Sequence, residues 1–178
     1  DVKDGQLHFL DGWPDVQNAS ATVHFRNASL TVENARSREQ SGAVALINAS
    51  IPDLREALLL VSGNVKAPAE ELQQYIWNSG LDRILGRSVE QFQASGQAEI
   101  NLGINVPLGK NIKTVEQLQA NGDITFNDNE LYFPLTDYLV TDINGKLSFT
   151  TTSLQGEDIR GSFYGRPVNI NVWHSEDG

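Results

Sequence analysis

Three kinds of residue in this chain carry enough chemistry to need an explanation: histidine, clustered carboxylate, and asparagine in the pattern Asn-Ala-Ser. The histidines are His8, His24 and His174. A zinc pair wants two imidazoles on one face of an element, as in H-E-x-x-H, and none of the three has such a neighbour. His24 falls at a polar position of an alternating segment, where a solvated sheet face accounts for it. Carboxylates gather in "NDNE" (127–130) and "GEDI" (156–159). A glycosidase pair or a calcium loop would use such groups, but neither stretch has the ligand spacing of an EF-hand. Both read more simply as acidic turns. There is no P-loop, G-x-S-x-G or Rossmann fingerprint. The chain has no cysteine, which removes thiol nucleophiles, Cys-based zinc sites and disulfides.

Asn-Ala-Ser occurs at Asn18, Asn27 and Asn48. Each could accept an N-linked sugar in a secretory pathway. Asn27 also stands where a tight hairpin wants a residue tolerant of positive φ, which is reason enough for Asn there. Trp13, in "DGWP", could stack on a sugar or plug the edge of a core. The chemistry available is therefore that of surfaces rather than of bond making, and no cofactor or metal is implied.

The elements that would present those surfaces are strands. Period two dominates, and its cleanest run is 98–106: Ala98, Ile100, Leu102, Ile104 and Val106 face one way, Glu99, Asn101 and Asn105 the other. A Phe-to-Leu frame recurs three times. Around Asn27-Ala28 a two-residue loop sets Phe25 opposite Leu30 and Val23 opposite Val32. The same arithmetic around Asp128-Asn129 sets Phe126 opposite Leu131 and Ile124 opposite Phe133. Around Thr151-Thr152 it sets Phe149 opposite Leu154 and Leu147 opposite Gly156. Residues 16–37 also align without gaps on 140–161, as a repeated sheet unit would. One stretch breaks the rhythm. "APAEELQQYIWNSGLDRILG" predicts a helical segment over 68–86, interrupted near Ser79-Gly80. Leu72, Tyr75 and Ile76 form one stripe, Leu81, Ile84 and Leu85 resume it, and Trp77 packs on the sheet rim. Pro68 and the acidic pair Glu70-Glu71 suit its first turn.

A net charge of −10 withholds the basic footprint that nucleic acid or an anionic membrane surface needs. No run of apolar residues is long enough to span a bilayer, and no signal-peptide pattern is present. The chain starts at Asp1 and contains no Met, so it reads as a piece cut from a longer protein, with any anchor outside it. The lack of cysteine suits a bacterial periplasmic chain.

"DGWPDVQNASATVHFRNASLTVENARS", "IPDL", "PAEELQQYIWNSGLDRILG" and "GQAEINLGINVPLG" together resemble the repeat region of the AsmA-like family, in its YhdP-type branch of Gram-negative bacteria. Gly145-Lys146-Leu147-Ser148-Phe149 and Gly165-Arg166-Pro167-Val168-Asn169-Ile170-Asn171-Val172 match the family's "G-x-L-x-F" and "G-x-P-V-x-I-x-V". The resemblance covers nearly the whole chain. It implies a mainly β fold with one interrupted helix, a curved antiparallel sheet forming an elongated β-taco or open hydrophobic groove. Residues 1–178 would be a single slice of it. It further implies the periplasmic portion of an inner-membrane-anchored protein that carries phospholipid between inner and outer membrane. Its partners would be phospholipid acyl chains and neighbouring repeats of the same longer chain, and it would not be an enzyme. The residues expected to line the groove are Val23, Phe25, Leu30, Val32, Ile100, Leu102, Ile104, Ile124, Phe126, Leu131, Phe133, Leu147 and Phe149. The alternative is a structural or adhesive secreted β-domain whose apolar faces close on each other.

Overall fold

A computed structural model describes residues 2–7, 16–38, 43–56, 58–79, 91–108 and 119–175. Its strands are β1 (Val2–Leu7), β2 (Val16–Arg26), β3 (Ser29–Arg38), β4 (Val44–Ile51), β5 (Leu58–Pro68), β6 (Gln93–Pro107), β7 (Gln119–Phe133), β8 (Tyr138–Thr150), β9 (Ser153–Phe163) and β10 (Arg166–Ser175). Each pairs antiparallel with the next, in the order β1 to β10 without a crossover. Among the described residues the sheet is single and open, with β1 and β10 as its edges. A closed-core domain would need a second layer, and the described residues do not supply one.

One helix, α1 (Ala69–Ser79), stands between β5 and β6. Pro68 ends β5, opposite Gln97, rather than opening the helix. Its fixed φ and missing N–H let the ladder stop there and the helix start one residue later. Glu70 and Glu71 lie in the first turn, at the positive end of the helix dipole. Leu72 and Ile76, one turn apart, are buried, and each contributes about 1.5–3 kcal/mol by leaving water. Trp77, expected on the sheet rim, is 41 % exposed. The remainder of the predicted helical segment, with Leu81, Ile84 and Leu85, lies outside the described residues.

The first and third Phe-to-Leu frames are hairpins with the expected register. Phe25 pairs with Leu30 and Val23 with Val32. Phe149 pairs with Leu154, and a Cβ on Gly156 would lie 2.9 Å from Leu147 Cδ1. The second frame is not a hairpin. β7 runs unbroken from Gln119 to Phe133, so Phe126 lies opposite Ala98 and Gly145, while Leu131 lies opposite Ala94 and Val140. Asp128 is the extra residue of a β-bulge.

Bulges of this kind recur. Asn34, Asp128, Asp142 and Asp158 have φ of 53°, 52°, 54° and 55°, and each stands at a shift of register. Three are held alike from the following strand. The N–H of Asn34 donates to Asn48 Oδ1 at 2.9 Å, that of Asp128 to Asn144 Oδ1 at 3.2 Å, and that of Asp158 to Asn171 Oδ1 at 3.1 Å. A bulge bends its strand and strengthens the local twist, so a series of them coils the sheet. Asn34 and Asp158 occupy equivalent positions in the alignment of 16–37 on 140–161, so the repeat seen in sequence is also a repeat of backbone. "NDNE" and "GEDI" are thus bulged strand, not turns.

Candidate functional site

The feature that marks this molecule is the sidedness of its sheet. Residues directly opposite one another share a face, so the pairings can be followed across strands as rungs. One rung runs Val23, Val32, Ala49, Val61, Ile104, Ala120. The next runs Ala35, Ile47, Gly63, Leu102, Gly122, Phe149, Leu154. A third runs Ala45, Val65, Ile100, Ile124, Leu147, and a fourth Ala67, Ala98, Phe126, Gly145. Ala94, Leu131, Val140 and Phe163 make a fifth. Every member named is apolar or glycine; the fifth rung ends at the sheet edge on Arg166 of β10. The bulges add one residue without turning the strand over, so the apolar phase survives them.

The other face is wet. The rung Asn64, Asn101, Asp123, Ser148, Gln155 belongs to it. Asn64 Nδ2 donates to Asn101 Oδ1 at 2.7 Å and to Glu99 Oε1 at 2.6 Å. Ser148 Oγ donates to Asp123 Oδ1 at 2.7 Å. Lys66 Nζ lies 3.0 Å from Glu99 and Lys146 Nζ 2.9 Å from Asp123. The Lys66 ammonium, then the Asn64 amide, hold the Glu99 carboxyl below its ordinary range. Lys146, then Ser148, do the same for Asp123. On the same face the Tyr132 hydroxyl donates to Asp137 at 3.0 Å, which pushes its ionisation up. In the turn after β4, Arg55 grips Asp53 and lowers its carboxyl. Charge and titration therefore sit on the wet face and the turns.

All thirteen residues expected to line a groove lie on the apolar face. Ten are half-buried, Ile100 and Ile104 are buried, and Phe25 is 74 % exposed. Burial is not confined to the seat of α1: Ile104 and Val106, further along β6, form a second buried cluster with Ala120 of β7. Ala69 and Leu72 of the helix join Ala67, Ala98 and Ile100 in one packed cluster. Among the described residues α1 is the element that packs on this face from above. Other members were missed in the sequence. Val61 hides in "LLLV", a continuous apolar run in which alternation cannot be read. Ile143 and Ile159, 1 % and 3 % exposed, follow the bulges at Asp142 and Asp158, so period two places them on the wrong side. The one fully buried polar side chain among the described residues is Asn129. Its Oδ1 accepts from Asn127 N at 2.8 Å and its Nδ2 donates to Ser95 O at 3.0 Å.

The residues singled out for chemistry are not assembled. His24 is on the wet face, opposite Thr31, its Nε2 4.0 Å from Glu33. His8, Trp13 and the side chains of Asn18 and His174 lie outside the described residues. Asn27 forms the first hairpin turn with φ 51°, as expected, and Asn48 holds the bulge at Asn34. Among the described residues no three His, Asp or Glu side chains group to hold a metal ion, and no helix is long and apolar enough to cross a membrane.

Comparison with known proteins adds to this geometry. The family model described as "YhdP protein" matches residues 1–178. The intermembrane phospholipid transporter YhdP of Escherichia coli (strain K12) is 24 % identical over 170 residues, which is 96 % of this chain. The chain spans 13 % of that relative's length. No solved structure matches.

Proposed function

The chain belongs to the YhdP family, and from that premise we propose that it is one slice of a lipid-conducting groove. Phospholipid acyl chains lie on its apolar face and headgroups stay at the wet rim. The single observation that carries the reading is the face itself, apolar or glycine on every rung traced above as far as β9, in a sheet that does not close among the described residues. Such a face must be covered by something. Hydrocarbon does so at a gain of about 0.8 kcal/mol for each methylene withdrawn from water. The strands stand about 4.8 Å apart, so the strip is continuous from strand to strand along the sheet. No bond is made or broken in such a role. The relative's printed name, an intermembrane phospholipid transporter, supports phospholipid as the guest and a periplasmic place for the slice. Neighbouring parts of the longer chain would extend the same strip.

The test is a photoreactive side chain at Phe126 in the full-length protein, irradiated in cells, with covalently attached phospholipid read by mass spectrometry. A phospholipid adduct at Phe126, and none with the probe at Thr125 on the wet face, is the expected result. Absence of adduct at Phe126, or equal adduct at both, would overturn the reading.

A further inference from the structure

The helix sits on the face that the proposed function gives to lipid, and its seat is built of small residues. Ala67 of β5 and Ala98 of β6 lie beneath it. One strand further along the same rung the residue is Phe126. Alanine lets a helix approach a sheet closely, and close packing leaves no gap for a hydrocarbon chain. Ile100 lies in this seat, 8 % exposed. Its partner Ile124 on β7 is the same residue type on the same rung, packs against the margin of this cluster and is only half-buried.

The helix is also tied down. Gln73, 7 % exposed, donates from Nε2 to Phe92 O at 2.7 Å and accepts at Oε1 from Ala94 N at 3.2 Å. Lifting α1 would strand these buried polar groups as well as re-expose Leu72 and Ile76. At its other end α1 follows β5 without a linker, since Pro68 is still paired in the ladder.

We propose that α1 is a fixed partition on the apolar face. It replaces lipid over the Ala67–Ala98 end of β5 and β6. The inference rests on the lipid-groove reading above, and the experiment separates the two. A small diazirine-bearing aliphatic residue replaces Ile100 or Ile124 in the full-length protein, and phospholipid adducts are read after irradiation. The partition predicts adduct at Ile124 and its loss at Ile100. Equal adduct at both leaves the groove standing and overturns the partition, whereas adduct at neither overturns both. A second measurement uses a Leu72→Cys/Ala98→Cys pair, two positions of one packed cluster, to pin the helix to its seat on oxidation in a full-length background freed of any other cysteine. A fixed partition leaves the Ile124 adduct unchanged by the lock. An adduct that vanishes on oxidation and returns with reductant makes α1 a moving lid, and the proposal falls.

Discussion

Phe25 to Leu30 and Phe126 to Leu131 share a frame and a left-handed third residue, Asn27 at φ 51° and Asp128 at φ 52°, yet the chain reverses at the first and runs on at the second. The difference lies in the residue that follows. After Asn27 comes Ala28, which has no polar side chain. Its carbonyl accepts from Leu54 N at 2.7 Å, and the turn is finished by Ser29 Oγ donating to Arg26 O at 2.9 Å. After Asp128 comes Asn129, which reaches sideways to Ser95 on β6 while Asn144 on β8 holds Asp128. Bonds to strands on both sides keep the chain extended. A left-handed residue only permits a change of direction; the partners of its neighbour decide between a turn and a bend.

The largest expected break in this comparison is Asn129→Leu. It strands the Ser95 carbonyl and the Asn127 N–H and costs about 2–4 kcal/mol, read as a lowered urea midpoint. Ala28→Leu, at the matching position of the hairpin, stays within about 0.5 kcal/mol as a surface change. Equal losses at the two sites would remove the distinction drawn here. Next in size, Asn27→Val and Asp128→Val each cost about 1–2 kcal/mol, because a β-branched residue resists left-handed backbone. Glycine at either position stays close to wild type. Third, Asn144→Ala costs about 1 kcal/mol by removing the bonds that hold the bulge, and Asn48→Ala and Asn171→Ala cost similar amounts. The smallest effect is electrostatic. Glu99 and Asp123 have lowered pKa values when folded, so their contribution is present above the unfolded pKa values and is lost as pH falls through the folded ones. Denaturation midpoints of wild type and Lys146→Met should therefore converge in acid. A difference that persists after both carboxylates are protonated would show that Lys146 acts by packing.

Much of the sheet was legible because one dry face imposes period two, and 98–106 displays it without interruption. The hairpins at Asn27 and Thr151 followed from that period and loop length alone. The bulge at Asp128 was read as a turn because turn and bulge ask for the same residue types. The bonds that separate them come from Ser95 and Asn144, 34 and 16 residues distant from the groups they meet. Ile143 and Ile159 escaped for the same reason, since an unrecognised extra residue shifts the alternation at the point where it enters. The start of α1 was misplaced by one residue because Pro68 serves equally at a strand end and a helix start. The rim contact expected of Trp77 depends on partners in space that a single sequence does not contain.

The described strands number ten, in an uncrossed meander, and that number has a parity. Each strand carries the chain from one rim to the other, so an even count returns it to the rim at which β1 began. Gaining or losing a hairpin preserves this arithmetic and leaves every later turn on its own side. Gaining or losing one strand would exchange the two rims for everything downstream, so that a strand added between β3 and β5 would bring α1 to the margin that holds the Asn27-Ala28 turn. Length in such a molecule can therefore change in steps of two strands without exchanging its rims.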